Sequence, residues 1–426
     1  MMSRSNRHSA LVAVGILLCG LAWMSAQEFG KLSQPTIRWQ KLVLDRKFWS
    51  EGVAVADVNR DGRPDVIAGD VWYEAPEWKR HMLRPVQRRD KGNPEAGHDP
   101  LNYSNSFACF ADDFNGDGWP DVIIVPFPGE ACYWYENPQG QGGYWKPHLV
   151  WRSACNETPQ FADLFGDGKR RLIMAIQPEG QMCWFEVPKD ATQPWIPHPI
   201  SENQAPGTER FSHGLGVGDV NGDGRLDVIV TAGWWEQPPE GPRYSRPWKF
   251  HPAKLGGPCA DMVVYDVDGD GWNDVISSSA HGRGIWWHRQ LPDSQGSRFE
   301  QHDIFTGFTQ SHAIVFADIN GDGRPDIVTG KRWWAHGPTG DKDPLDPQEP
   351  NRPAVLYWFE IVRPTTESNK SGEGAKARPR FIPHLVDDDS GIGTQFVVAD
   401  MNGDRLPDIV VANKKGVFIF LQKREP

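Results

Sequence analysis

Cysteine is scarce in this 426-residue chain: one of six, Cys19, sits in an N-terminal apolar run, leaving Cys109, Cys132, Cys155, Cys183 and Cys259. These five form no CxxC pair and no zinc-site spacing, so no disulfide framework or cysteine metal site is expected. One bridge would be permitted in an oxidising compartment; buried single thiols are the simpler expectation. Also missing are a CxxCH haem site, an HExxH helix, a G-x-S-x-G elbow and, outside Asp-rich loops, the glycine turn of a nicotinamide fold. Sialidase-type Asp boxes and the Trp–Asp dipeptides of WD40 blades are absent too. Basic residues are outnumbered, 45 Lys and Arg against 56 Asp and Glu, for a net charge of −11. That balance argues against a nucleic-acid partner.

What is present begins with a leader. Arg4 and Arg7 precede an apolar stretch from Ala10 to Trp23, and the small residues Ser25 and Ala26 stand before Gln27. Residues 1–26 read as a secretory signal peptide cleaved after Ala26. The apolar run is short for a membrane span, and Leu18 before Cys19 does not suit lipoprotein processing. Losing Arg4 and Arg7 takes the mature charge from −11 to −13. The expectation is a secreted or periplasmic protein with no membrane span after cleavage and a linker over residues 27–37.

Seven segments then share one pattern: an alternating apolar run, an Asp-rich loop, a second apolar run, usually an aromatic pair, and a strand-like stretch bearing His. The loops read DVNRDGRPD from Asp57, DFNGDGWPD from Asp113, DLFGDGKRR from Asp163, DVNGDGRLD from Asp219, DVDGDGWND from Asp266, DINGDGRPD from Asp318 and DMNGDRLPD from Asp400. Alternation such as Val53–Val55 and Val66–Ile67 argues for half-buried strands. Repeats of this length build a solenoid or a propeller, and four strands per repeat make a propeller blade. The chain opens with an orphan fourth strand at residues 38–44 and stops after a third strand at residues 416–421. The predicted fold is therefore all-β: a seven-bladed β-propeller of four-stranded antiparallel blades over residues 38–421, its last blade closed by the N-terminal strand, with a tail at 422–426.

This pattern resembles the FG-GAP or VCBS repeat family, to which the integrin α-chain propeller belongs, over essentially all of residues 38–421. Stretches such as GDVNGDGRLDVIVTAGWWEQP, and AVLYWFE followed by VVADMNGDRLPDIVVANKKGVF, look most like the propeller domain of aldos-2-ulose dehydratases and their bacterial relatives. Those fungal enzymes also carry cupin domains, for which no residues remain here. The resemblance implies a metal-dependent sugar site, with no catalytic residue transferable position by position.

Oxygen ligands at loop positions 1, 3, 5 and 9, with glycine at position 6, suit calcium. Complete sets are Asp57, Asn59, Asp61 and Asp65; Asp113, Asn115, Asp117 and Asp121; Asp219, Asn221, Asp223 and Asp227; Asp266, Asp268, Asp270 and Asp274; Asp318, Asn320, Asp322 and Asp326. Five loops are thus expected to hold structural calcium. In the third, Phe165 and Arg171 replace ligands; in the seventh, Arg405 replaces the glycine. Asp, Asn and Gly also make good turns, but that alone does not explain four ligand positions kept in five copies.

Residues shared by every blade serve the scaffold, so a site must come from residues that break the repeat. His81, His148, His198, His251, His302 and His384 hold one equivalent position and are assigned to the scaffold. The residue six places before each loop should face the central channel: Glu51, Phe107, Glu157, His213, Ala260, His312 and Thr394. Two carboxylates and two imidazoles suit zinc, manganese or iron better than calcium, so Glu51, Glu157, His213 and His312 form a candidate axial metal site; the alternative is four hydrated groups lining a wet channel. Connections on the same face add His98 in residues 84–103, His281 and Arg283 in residues 280–284, and Lys331, Arg332 and His336 in residues 331–353. Residues 365–377 read as a flexible linker.

Two classes of function follow. One is an exported lyase of the dehydratase type acting on a keto-sugar, with an axial metal and His281, His336 or Lys331 moving a proton. The other is a non-catalytic binding or adhesion module, or an accessory subunit of a carbohydrate-degrading complex. Either would engage a small carbohydrate or a protein ligand at the axial face.

Overall fold

The Asp-rich loops close hairpins because their own side chains supply the acceptors. In the first, Asp57 accepts from the amides of Asp61 and Gly62, both at 2.9 Å, and Asn59 accepts from Asp61. The ninth residue is a hub: fully buried Asp65 accepts from Val58 N at one oxygen and Ala75 N at the other. It thereby ties the loop's start to the end of the third strand. Asp121, Asp227, Asp274 and Asp408 repeat this pair of bonds. Position 6 needs a left-handed backbone, φ 84 to 90° at Gly62, Gly118, Gly224, Gly271 and Gly323, which glycine adopts at least cost.

A computed structural model describes residues 36–88, 92–241, 244–291, 298–336, 340, 348, 351–364 and 378–425. The expected signal peptide at 1–26, the expected linker at 365–377 and most of 337–350 lie outside the described residues. Strands β1 to β28 form seven four-stranded antiparallel sheets. Blade 1 comprises β2 (Ala54–Ala56), β3 (Asp65–Ala68), β4 (Val71–Glu74) and β5 (Lys79–Met82). Blades 2 to 6 repeat this order within residues 108–151 (β6–β9), 154–199 (β10–β13), 216–252 (β14–β17), 263–309 (β18–β21) and 314–387 (β22–β25). In blade 7, β1 (Thr36–Asp45) pairs with β28 (Gly416–Glu425), followed inward by β27 (Asp408–Asn413) and β26 (Val397–Ala399). The N-terminal strand thus completes the last sheet, and β28 runs on through residues first assigned to a tail.

Alternation along the middle strands serves two neighbours rather than core and solvent. Val228 and Val230 of β15 (Asp227–Val230) pack with Ile173, Ala175 and Trp184 of blade 3, while Ile229 between them packs with Val275 of blade 5. Every residue of β15 is therefore buried. Residues 37–423 form one compact unit; the other, residues 1–36 with 424–426, falls almost wholly outside the described residues. Among the described residues no helix is long and apolar enough to cross a membrane, and the five cysteines there are free and buried.

The repeated histidines are scaffold. His81, His148, His198, His251 and His384 stack on Trp72, Trp134, Trp184, Trp234 and Trp358 with ring centroids 4.0 to 4.4 Å apart. Glu74, Glu136, Glu186 and Glu236 hold the first four at 2.6 to 2.8 Å. In blade 5 the Trp–Trp–His run is offset by one residue relative to the other blades. His302 sits on Trp287, not Trp286, and Ile276 pairs with Trp287 as Ile67 pairs with Trp72. Arg289 therefore stands where blades 1 to 4 and 6 have Glu, and it bonds Asp268 and Asp270 of the adjacent loop.

Candidate metal centre at the propeller axis

Each inner strand is entered from the axial face, so the residues just before or at its start are delivered to the centre. One oxygen of Glu157, in β10 (Ala154–Ala162), and one nitrogen each of His213, His312 and His336 lie within 4.8 Å of one another. Glu157 and His213 come from blades 3 and 4, and both remaining ligands from blade 6. His213 Nδ1 meets the Phe211 carbonyl at 2.8 Å, and His312 Nδ1 meets the Gln310 carbonyl at 3.2 Å. A carbonyl only accepts, so each Nδ1 carries a proton, and in the neutral ring that leaves the Nε2 lone pair facing the group. Both Nε2 atoms are buried without a hydrogen-bond partner, His213 Nε2 standing 3.5 Å from Glu157 Oε2. That second-shell bond is the usual way a ligating imidazole is oriented.

The electrostatics favour the ligand forms. Burial would raise the Glu157 carboxyl, but His213, Arg332 and His336 hold it down at about 2. Burial, with Arg332 close by, pushes His312 well below the usual imidazole range and keeps it neutral. Three imidazoles and one carboxylate match the donor set of a zinc-type centre.

Glu51 is the correction to the expected quartet. It lies outside the group and pairs instead with the buried Arg332 guanidinium, whose Nη1 donates to Glu157 at 3.1 Å. Its place is taken by His336, expected only as a proton carrier. His281 stands beside the group, parallel to His336 with centroids 4.6 Å apart and edge-on to His213 at 4.6 Å. Lys331 is buried in the blade 6 connection with its amide bonded to Val355 O; its neighbour Arg332 is the side chain that reaches the axial acids. His98 is pinned at 2.9 Å to Asp70, which also binds Arg84, so the 84–103 connection is stapled down at that point.

Two further side chains, neither among the expected ligands or proton carriers, complete the centre. Arg332 crosses the axis, and Lys414, in the β27–β28 turn, donates to Trp334 O at 2.8 Å and lies 4.0 Å from Glu51 Oε1. Burial pulls the Lys414 ammonium down to about 8. The only signal for either was a basic residue in a connection of the axial face. A cleft of about 660 Å³ opens beside His213, bordered by Arg210, Phe211, Thr231 and Pro258. Phe211 is 45% exposed at its lip and stacks edge-on with Phe127.

Family models described as FG-GAP-like repeat match residues 113–174 and 266–329, and one described as FG-GAP repeat matches residues 211–239. No curated protein sequence matches the chain. Among solved structures it is similar to an Agrocybe aegerita lectin that recognises non-reducing terminal N-acetylglucosamine, with 16% identity over 88% of this chain and 99% of that one and a TM-score of 0.44. It is similar to rhamnogalacturonan lyase YesW at 13% identity over 90% and 75%, TM-score 0.43. For BBS1N, solved in complex with ARL6DN, the values are 10% over 90% and 96%, TM-score 0.47. None is similar enough to bear on what this chain binds.

Proposed function

Since the chain belongs to the FG-GAP repeat family, folded as a seven-bladed propeller, we propose that it is an exported protein whose axial cluster binds a divalent transition metal and uses it on a carbohydrate. The observation that carries this reading is the convergence of Glu157, His213, His312 and His336 within 4.8 Å, with two imidazole Nε2 atoms bare. Export rests on the N-terminal leader, and structural calcium in the five complete loops rests on their ligand pattern.

A metal held there would supply Lewis acidity to a carbonyl oxygen. The chain's own residues do the rest. The cleft beside His213 admits the substrate, and the exposed Phe211 ring offers an apolar face to a sugar ring. His281, next to the ligands but outside their group, accepts the proton α to the carbonyl. Loss of that proton and of a β-hydroxyl, released as water, is a dehydration of a keto-sugar.

The test is metal content by elemental mass spectrometry on wild type and the His213→Ala/His312→Ala double variant after identical calcium-buffered dialysis. One transition-metal equivalent in wild type, lost from the variant while calcium is unchanged, supports the centre. If wild type takes up none even when zinc or manganese is offered, the enzyme reading falls and a ligand-binding module replaces it.

A further inference from the structure

Two buried carboxylates face one guanidinium across the axis, yet only one of them belongs to the ligand cluster. Arg332 and Glu51 are each 1% exposed and Glu157 is 4% exposed. Arg332 divides its donors: Nη2 goes to Glu51, Nη1 goes to Glu157 at 3.1 Å, and Nε is unpartnered. One of its faces lies over the Phe107 ring at 5.4 Å, which restricts how the guanidinium can turn. Glu51 in turn has Lys414 Nζ 4.0 Å from its other oxygen.

An undivided guanidinium behaves differently. Given one carboxylate, arginine forks onto both oxygens, as Arg171 does with Asp167 at 2.8 and 2.6 Å in this same chain. A carboxylate engaged in that way has little left for a metal. We infer that Glu51 and Arg332 are positioning residues: Glu51 holds the Arg332 guanidinium partly off Glu157, so that Glu157 is oriented by one hydrogen bond and keeps ligand capacity toward the site of His213, His312 and His336. This rests on the metal reading above.

The inference predicts effects of opposite sign. In Glu51→Gln the full charge of Arg332 turns onto Glu157, and divalent-metal affinity falls by about 10- to 100-fold, as for other outer-shell losses. In Arg332→Gln the competing cation is gone and affinity does not fall; like-charge repulsion with the incoming ion is also relieved. The double variant Glu51→Gln/Arg332→Gln recovers the affinity lost in Glu51→Gln, because the glutamate matters only through the arginine.

The experiment is cobalt(II) titration of the full chain in calcium buffer, read by the visible absorption of the bound ion. Far-ultraviolet circular dichroism of each metal-free variant checks the fold. A purely structural pair would lower affinity in both single variants and more in the double. That pattern, or Glu51→Gln binding like wild type, overturns the inference while leaving the metal centre standing. Wild type that binds no cobalt(II) overturns both. Should Arg332→Gln fail to fold, Glu51→Asp serves. Its shorter reach toward Arg332 with the charge retained should give an affinity between wild type and Glu51→Gln, and equality with wild type counts against the role.

Discussion

Arg171 grips Asp167 with two parallel hydrogen bonds, Nη1 to Oδ1 at 2.8 Å and Nη2 to Oδ2 at 2.6 Å. The loop that breaks the ligand pattern thus carries its own cation. The guanidinium also lies over the Phe165 ring at 4.6 Å, so both departures from the consensus act together.

The third loop should therefore be indifferent to calcium. Chelation with EGTA is expected to lower the melting temperature of wild type, because a ligand bound only to the folded state stabilises it by about 2.7 kcal/mol per site at a hundredfold excess over Kd. Asp223→Asn should shrink the EGTA-induced shift, whereas Asp167→Asn should lower the melting temperature equally with and without EGTA. Calorimetry of the three proteins checks this, and an unchanged wild-type melting temperature in EGTA sinks the calcium assignment.

Acidity should act with opposite sign on the two metal states. Burial, followed by neighbouring loop carboxylates, pushes Asp121 and Asp227 up to about 7 against the bonds they accept from backbone amides. Asp274 and Asp326 also reach about 7, and burial is again the main cause. A folded-state value above the unfolded one means the native chain binds extra protons between pH 4 and 7. The contribution of these groups in EGTA is full below about pH 4 and lost as pH rises through 7. With calcium bound the carboxylates are held ionised, so lowering the pH below 7 brings protons into competition with the ion and weakens its hold. Melting curves at pH 5 to 8 with and without calcium, for wild type and Asp227→Asn, isolate the effect; the variant's metal-free curve should be the flatter.

Arg405 sits at φ 64° where the six other loops place a glycine. A left-handed backbone costs a non-glycine residue about 1–2 kcal/mol, partly offset by the freedom glycine gains in the unfolded chain. Arg405→Gly is expected to raise stability by roughly 0.5–1 kcal/mol, measured by urea unfolding. A decrease would show that the arginine side chain contributes more than its backbone costs.

His251 should matter to the fold and not to the axis. It stacks on Trp234 at 4.2 Å and bonds Glu236 at 2.6 Å. Removing it as His251→Ala should cost about 1–2 kcal/mol, with cobalt(II) affinity unchanged. Altered cobalt binding would mean that the outer strands are coupled to the centre.

Blade count, the closing strand and the scaffold histidines were legible because they follow from periodicity, and periodicity survives without knowing any contact. The axial position was legible for the same reason: counting back six residues from each loop found Glu157, His213 and His312. Membership of the cluster was not. Whether Glu51 or His336 completes it depends on which cation Glu51 meets, and Arg332 arrives from a connection 281 residues away. The blade 5 register is not legible for a local reason: three aromatic or imidazole rings in a row, Trp286 to His288, leave the pattern ambiguous by one place.

The pairing of β1 with β28 gives the axial centre a place in the order of folding. The ligands belong to blades 3, 4 and 6, so no run of adjacent blades short of four contains them all. During synthesis the sheet of blade 7 stays two strands short until β28 emerges to meet a strand made at the other end of the chain. Contacts this distant are slow to form, and the cluster's spacing depends on the curvature that the closed circle enforces. An ion at the axis would report that the circle has closed, and a chain stalled before β28 would remain a metal-free arc with an exposed sheet edge.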